Sequence, residues 1–483
     1  MTYILIGLFW VVNFPRTIPL LEADRGLFVS YAERLLAGDK LYADLFFPKD
    51  PVFVWLIALG RTFSPLMDIL IENFWLILSS VAVYQTSKHL KIGRCHTLLL
   101  GFLVTPLILT SGQYYPGYTH LPGIALTLLS VSLLLRNHFF SAGFILITVF
   151  FTKVMLFPVA IFLFIGFLIL NWRTKFLSRL FFGAGFGSIF WIAVLSVRGE
   201  LSGYVKMLQF NSIYANDDIY PNWPLPLAHI LRASNSMSWT TLILIILILA
   251  WTLPSEDNLS TKWRIRVPNN FLWLSTLLGL VAAILVLALT GMWNHHNQVL
   301  YIPAIFGAVL FSTKIPYLSN RPLGSFAILL LVSIVLGGPK QGVIFTTPAE
   351  MRVAIEKLMT LPDEARALSN EESFSSYARL GSNDDFGHAM GLRKWNLACP
   401  YIEFYPKFAT SQDPIFESML ECMSKNKPQY ILVSTTFKDW LANPGAYGPN
   451  NWENFINRTQ LLLTEKYICL PKQELLVCER KTT

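Results

Sequence analysis

The sequence predicts a mostly α-helical, polytopic membrane bundle of about eleven spans, followed by a small C-terminal α/β domain. Three observations carry that prediction. Hydrophobic residues make up 53% of the 483 and charged residues 14%, with a mean hydropathy of +0.48, a balance typical of chains solvated by lipid. The apolar residues gather in runs, and the lysines and arginines lie in the short loops between them, which is how topology is encoded. After Gly337-Gly338 the composition becomes that of a soluble domain. The formal net charge of +8 raises nucleic acid as a partner, but no basic stripe marks a soluble stretch, so that class is excluded.

The first apolar segment, Tyr3 to about Phe14, has no basic residues ahead of it and no small-residue cleavage site before Pro15-Arg16. It reads as a retained first span reaching towards Leu20. Behind it, residues 21–63 crowd acidic, basic and aromatic side chains together. Within this loop Asp24 to Ala37 has an amphipathic helical pattern, with Leu27, Phe28, Tyr31, Leu35 and Leu36 at three- and four-residue steps. Gly38-Asp39 ends that helix, and Pro51 suits the first turn of the next. Two interfacial helices joined by a polar loop are therefore expected, with Glu22, Asp24, Asp44, Lys49 and Asp50 gathered around them. Glu33, Arg34, Asp39 and Lys40 read as surface charges.

Further spans are expected at about 67–87, 95–111, 118–135, 139–152, 155–171, 179–197, 238–254, 270–290, 297–312 and 324–337. With the N-terminus inside, each cytoplasmic loop is positive: Lys88, Lys91 and Arg94; Arg136; Arg173, Lys175 and Arg179; Lys262, Arg264 and Arg266; Lys314 and Arg321. The division at Lys153 sets this sidedness, because a single span over 139–171 would reverse everything after it. An odd count places the first loop and the tail in the same exported compartment. The expected division is a membrane domain at 1–337 and an exported domain at 338–483.

In the tail, Ala349 to Leu368 and Pro414 to Ser424 look helical, Asn426-Lys427-Pro428 punctuates, and Tyr430 to Ser434 and Leu475 to Cys478 look like strands. Cys399, Cys422, Cys469 and Cys478 lie there, whereas Cys95 sits at a cytoplasmic edge. Four cysteines permit three pairings, and Cys469 with Cys478 across a closing hairpin is favoured over the others. An exported, oxidising compartment suits disulfides; buried free thiols are the alternative. Zinc ligation is disfavoured, since no CxxC spacing occurs.

Asp24 with an aromatic four residues on, the run AERLLAGDKLY, and Lys49-Asp50-Pro51-Val52-Phe53-Val54-Trp55 together resemble the first exported loop of GT-C membrane glycosyltransferases, in the protein O-mannosyltransferase, lipid A aminoarabinose transferase and Rgt-like branches. The motif covers about forty residues; more loosely, the span pattern and exported tail extend the likeness over most of the chain. The resemblance implies inverting transfer of a sugar from a polyprenyl-phosphate donor to a glycan, lipid or protein acceptor on the exported face. It implies Asp24 as the base that takes the nucleophile's proton. Lys49 matches the family's cation that contacts the departing phosphate. Tyr42, Phe46, Phe47 and Trp55 are candidate walls for sugar and lipid. Arg25 stands where several relatives have a second acid, and adds a candidate phosphate contact. Asp24 as a helix N-cap and Lys49 as a snorkelling lysine are the competing structural readings.

Glu22 is a candidate to share the work of Asp24. The loop Ser111 to His120 lacks the second acid found in related enzymes, which leaves Asp217 and Asp218 as substitutes should a divalent cation be needed. His295 and His296 are candidates for donor-phosphate contact or proton relay, with interfacial anchoring beside Trp293 as the alternative. Lys153 is a further candidate phosphate contact. No metal site is assigned. No Gly-rich phosphate loop occurs, which argues against a nucleotide-sugar donor, and Asn457-Arg458-Thr459 is a formal glycosylation sequon. The expected setting is the plasma membrane of a bacterium, in the building of its cell envelope. Two other functions compete. A flippase for lipid-linked sugars would place ionisable groups at the bilayer midplane and show repeated halves, and neither is evident. An exported-face polysaccharide ligase or polymerase would build its site on an arginine-rich late loop, yet 198–237 offers only Arg198, Lys206 and Arg232.

Overall fold

The computed structural model describes residues 2–18, 23–110, 116–170, 174–216, 243, 266–289, 294–314, 352, 376–380, 397–401, 415–443, 450–472 and 475–481. The chain forms two compact units. One comprises Met1–Ile18, Ile69–Ala193 and Asn222–Met351; the other comprises Pro19–Asp68, Val194–Pro221 and Arg352–Thr483.

The described helices are α1 (Thr2–Asn13), α2 (Ala23–Leu36), α3 (Pro51–Arg61), α4 (Met67–His89), α5 (Arg94–Leu109), α6 (His120–Leu135), α7 (Phe139–Thr152), α8 (Phe157–Leu170), α9 (Thr174–Val197), α10 (Leu201–Asn216), α11 (Arg266–Leu289), α12 (Tyr301–Lys314), α13 (Ile415–Asn426), α14 (Thr435–Ala442) and α15 (Asn450–Lys466). Four strands, β1 (Tyr377–Leu380), β2 (Tyr430–Val433), β3 (Tyr467–Lys472) and β4 (Leu475–Arg480), complete a mostly helical fold. Among the described residues, Met67–His89 and Phe176–Val197 are both long and apolar enough to cross a membrane, and α5, α6, α7 and α11 contribute shorter apolar helices. The expected spans at 238–254 and 324–337 lie outside the described residues, apart from residue 243.

The first unit is a helical bundle in which α8 packs on α11 and α6 on α7. Its helices approach closely through glycine. A Cβ on Gly143 of α7 would sit 2.2 Å from the Leu180 carbonyl oxygen of α9, and one on Gly183 of α9 would sit 2.0 Å from the Phe140 carbonyl oxygen. Each helix thus gives the other room for its backbone. In α5 a π-helical turn covers Leu100–Val104, followed by Pro106, which has no N–H for the carbonyl of Phe102. Trp10 Nε1 of α1 donates to that carbonyl instead, at 3.0 Å. The expected division at Lys153 is present: α7 stops at Thr152, a 3-10 turn spans Val154–Leu156, and α8 starts at Phe157.

The tail sheet has the order β1-β2-β4-β3, with β1 parallel to β2 and the other pairs antiparallel. One face, with Ala378, Leu380, Ile431, Val433 and Cys478, packs on Phe416, Met419, Phe437, Trp452 and Phe455 from α13, α14 and α15. Cys469 and Cys478 stand opposite each other in the β3–β4 register and are disulfide-bonded, as the hairpin predicts. Cys399 is bonded to Cys422 of α13, and Cys95 is free and exposed. The expected strands match β2 and β4, while β1, α14 and α15 were not foreseen; of the helix expected at 349–368, only residue 352 is described.

Candidate functional site

The first loop is built by local rules up to its turns and by distant partners thereafter. Helix α2 closes with a Schellman arrangement, in which the Asp39 N–H donates to the Arg34 carbonyl and the Gly38 N–H to the Leu35 carbonyl, both at 3.1 Å. Gly38 takes the required left-handed conformation at φ 106°. Asp50 then sits extended ahead of Pro51 and starts α3.

Two expectations are corrected here. Every residue from Leu27 to Arg34 is buried, so α2 presents no solvated face over that stretch. Glu33 and Arg34, expected as surface charges, are 3% and 5% exposed. Arg34 pairs with Asp39, while Glu33 accepts from Arg61 Nε at 2.8 Å and Arg61 Nη1 also donates to Asp68 at 2.7 Å. Charges enter a core only when paired in this way, and the amphipathic pattern alone does not reveal a partner 28 residues away.

Lys49 is half-buried within a tightly held turn. The Tyr42 hydroxyl donates to the Lys49 carbonyl at 2.6 Å, and the Tyr31 hydroxyl donates to the Phe46 carbonyl at 2.6 Å. Tyr204 of α10 donates to Asp50 Oδ1 at 3.3 Å, and Asn211 Nδ2 donates to the Pro48 carbonyl at 3.2 Å. Among the described residues, no carboxylate pairs with the Lys49 ammonium. The neighbouring carboxylate, Asp50, is 4% exposed. Burial, and then the charge of Asp50, push the Tyr42 and Tyr204 phenols well above their usual range. Both hydroxyls therefore remain donors at every pH at which the protein would work.

Trp55, one turn into α3, is covered by the Arg198 guanidinium at 5.2 Å from its ring centre. Arg198 also pairs with Glu200 at 2.9 Å, and Glu200 accepts from the Leu41 N–H at 3.0 Å. Burial raises the Glu200 carboxyl above the usual range, against the lowering effects of Arg198 and the Leu41 amide. Sequence reasoning missed Glu200, Tyr204 and Asn211. Nothing local marks them, because each acts on a loop more than 150 residues away.

Of the other predicted residues, Asp24 and Arg25 fall in the first turn of α2, with their side chains outside what is described. Glu22, Asp217, Asp218 and the side chain of His295 also lie outside it. In the first unit, His296 stands in a 3-10 turn, Asn294–Leu300, with its ring 5.7 Å from that of buried His120. Glu72, 1% exposed within α4, accepts from the Gly117 N–H at 3.0 Å. A carboxylate thus meets the loop whose own sequence supplies none, and the signal for it was an acid one turn inside an apolar span, behind Asp68 at its start. Among the described residues, no three His, Cys, Asp or Glu side chains converge as metal ligands.

No protein-family model matches the sequence, and no curated protein is similar to it at the sequence level. Solved structures are similar in fold. ArnT from Cupriavidus metallidurans superimposes with a TM-score of 0.55 at 12% identity, over 99% of this chain and 97% of that one. The Archaeoglobus fulgidus oligosaccharyltransferase matches with a TM-score of 0.47 at 9% identity, over 99% of this chain and 73% of that one. The arabinofuranosyltransferase AftD from Mycobacteria matches with 0.46 at 12% identity; this chain spans 40% of its length. With near-complete coverage of both chains, this chain shares its fold with ArnT.

Proposed function

We propose that this chain is an inverting membrane glycosyltransferase that moves a sugar from a polyprenyl-phosphate donor to a hydroxyl or amine of a glycan, lipid or protein acceptor. The observation that supports this best is Lys49: a half-buried ammonium without a carboxylate partner among the described residues, in a turn fixed by side-chain hydrogen bonds. Such a cation suits a phosphate dianion. Asp24, by the resemblance of its loop, takes the proton from the acceptor. The acceptor oxygen or nitrogen then bonds to the anomeric carbon as the bond to the phosphate oxygen breaks, and the phosphate leaves with that electron pair. Lys49 stabilises the charge that grows there, and Trp55 and Tyr42 form walls. Arg25 is proposed as a further donor-phosphate contact, and Glu22, Asp217 and Asp218 as residues lining the substrate site. A divalent cation is an optional addition.

In this reading residues 1–337 form the membrane domain and 338–483 an exported domain that covers the cavity or holds the acceptor. The site faces the exported side of a bacterial plasma membrane. The test is sugar transfer from radiolabelled polyprenyl-phosphate monosaccharides to membrane acceptors, comparing the native chain with Asp24→Asn at matched expression. Transfer abolished by Asp24→Asn supports the assignment. Surviving transfer moves the base to Glu22 or Asp217, and labelled lipid that crosses the membrane without transfer replaces the enzyme with a flippase.

A further inference from the structure

Three successive residues, Pro48, Lys49 and Asp50, each accept a side-chain hydrogen bond, from Asn211, Tyr42 and Tyr204 respectively. Two of these donors come from α10. Tyr204 and Asn211 are seven residues apart and so lie on one helix face. The helix comes unusually close to the loop, because a Cβ on Gly203 would stand 2.2 Å from the Tyr42 carbonyl oxygen. Tyr42 itself has φ 62°, a conformation that a bulky residue keeps only where its surroundings over-determine it. Here its ring lies against Phe47 and Tyr204, with centres 5.8 and 5.4 Å away.

We propose that Tyr204 and Asn211 are positioning residues that hold the Pro48–Asp50 turn so that the Lys49 ammonium meets the donor phosphate. The proposal rests on the reading of Lys49 given above. The physical problem it addresses is the adjacent acid. Asp50 follows Lys49 directly, and an ion pair between them would neutralise the cation. The Tyr204 hydroxyl occupies Asp50 Oδ1 while Asn211 and Tyr42 hold the backbone on either side, so the ammonium stays available to a ligand. Tyr204 and Asn211 need not touch substrate, and Gly203 is what admits them to the loop.

The test uses the full chain in lipid vesicles with a polyprenyl-phosphate sugar as donor. Transfer kinetics are compared for the native protein, Tyr204→Phe, Asn211→Ala, Lys49→Ala and the Lys49→Ala/Tyr204→Phe double variant. Tyr204→Phe removes one hydroxyl and keeps the packed ring. The expected result is a fall in kcat/KM of about tenfold or more for Tyr204→Phe and for Asn211→Ala, the scale of a misplaced catalytic group. In the Lys49→Ala background, Tyr204→Phe should then change kcat/KM by less than about twofold. An equal factor in both backgrounds makes Tyr204 merely structural and overturns the proposal. Full activity of Lys49→Ala, or no transfer by the native chain, overturns the reading of Lys49 and this proposal with it.

Should Lys49→Ala leave too little transfer to measure, the readout is protection of the Lys49 amine from acetylation by added polyprenyl phosphate. Tyr204→Phe should raise the protecting concentration about tenfold, the same loss of positioning expressed as binding; an unchanged concentration overturns the proposal.

Discussion

Arg61 donates to Glu33 across 2.8 Å with both side chains almost fully buried, and the same guanidinium reaches Asp68 at 2.7 Å. One cation thus joins α2, α3 and the first turn of α4. Removing it leaves two buried carboxylates with less than their full complement of partners, a change that costs about 3 to 5 kcal/mol in comparable buried pairs. Arg61→Leu should therefore lower the thermal midpoint clearly, and the simultaneous change of Arg61, Glu33 and Asp68 to apolar residues should recover much of the loss. A midpoint unmoved by Arg61→Leu would show that the network contributes nothing.

The two disulfides close loops of different length, with partners 23 and 9 residues apart in the sequence. In the chain-entropy account both stabilise by about 3 kcal/mol, the longer loop slightly more. The Cys399→Ser/Cys422→Ser variant should be the weaker of the two paired variants, because it also frees the segment around Pro400 whose carbonyl accepts from the Phe46 amide. Thermal melts of each double variant, with and without reductant, read this directly; equal melts in reductant and in its absence for the native chain would sink it.

Helices α7 and α9 depend on Gly143 and Gly183 for their close approach. Substituting Gly183→Val puts two methyl groups where the Phe140 backbone lies and forces the helices apart, at a cost of about 1 to 3 kcal/mol or more. A surface control, Gly185→Ala, meets nothing within 4 Å and should leave the melt unchanged. Equal behaviour of the two variants would contradict the packing.

Tyr467 carries a pH dependence. Its hydroxyl donates to the Pro428 carbonyl at 3.0 Å, and burial pushes its pKa from 10.0 to about 12, against the lowering influence of Arg480. A raised folded-state pKa means that the stabilisation is complete below pH 10 and is lost as pH rises through about 12. Its size is about 2 to 3 kcal/mol. Denaturant unfolding followed from about pH 9 to about pH 12 should show that decline in the native chain, and Tyr467→Phe should flatten it. A parallel decline in both proteins would remove Tyr467 as the cause.

What the sequence made legible followed local rules. The end of α2 at Gly38, the start of α3 at Pro51, the break at Lys153 and the opposition of Cys469 to Cys478 all depend on residues close in the chain. Helix α15 was readable too and was overlooked, since Trp452, Phe455, Ile456, Thr459 and Leu463 follow helical spacing and are all buried. The rest required tertiary partners. Glu33 looked like a solvated charge because Arg61 lies beyond the loop, and the roles of Glu200, Tyr204 and Asn211 appear only when α10 meets the turn at Lys49. At the site, the motif picked out Lys49, Tyr42 and Trp55 as residue types, whereas the bond from Tyr42 to the Lys49 carbonyl and the guanidinium on Trp55 are products of the fold.

The Phe46 amide donates to the carbonyl of Pro400 at 2.8 Å, and the Phe46 ring lies against Tyr401 and Phe210. Ribosomes deliver residue 46 long before residue 400, so this bond forms only well after the loop it braces has been made. Until then the turn that holds Lys49 lacks part of its frame, and a prematurely terminated chain carries the motif without its support. The first loop is therefore fully braced only once the segment held by the Cys399–Cys422 bridge, beside Pro400, has been made and has docked on it.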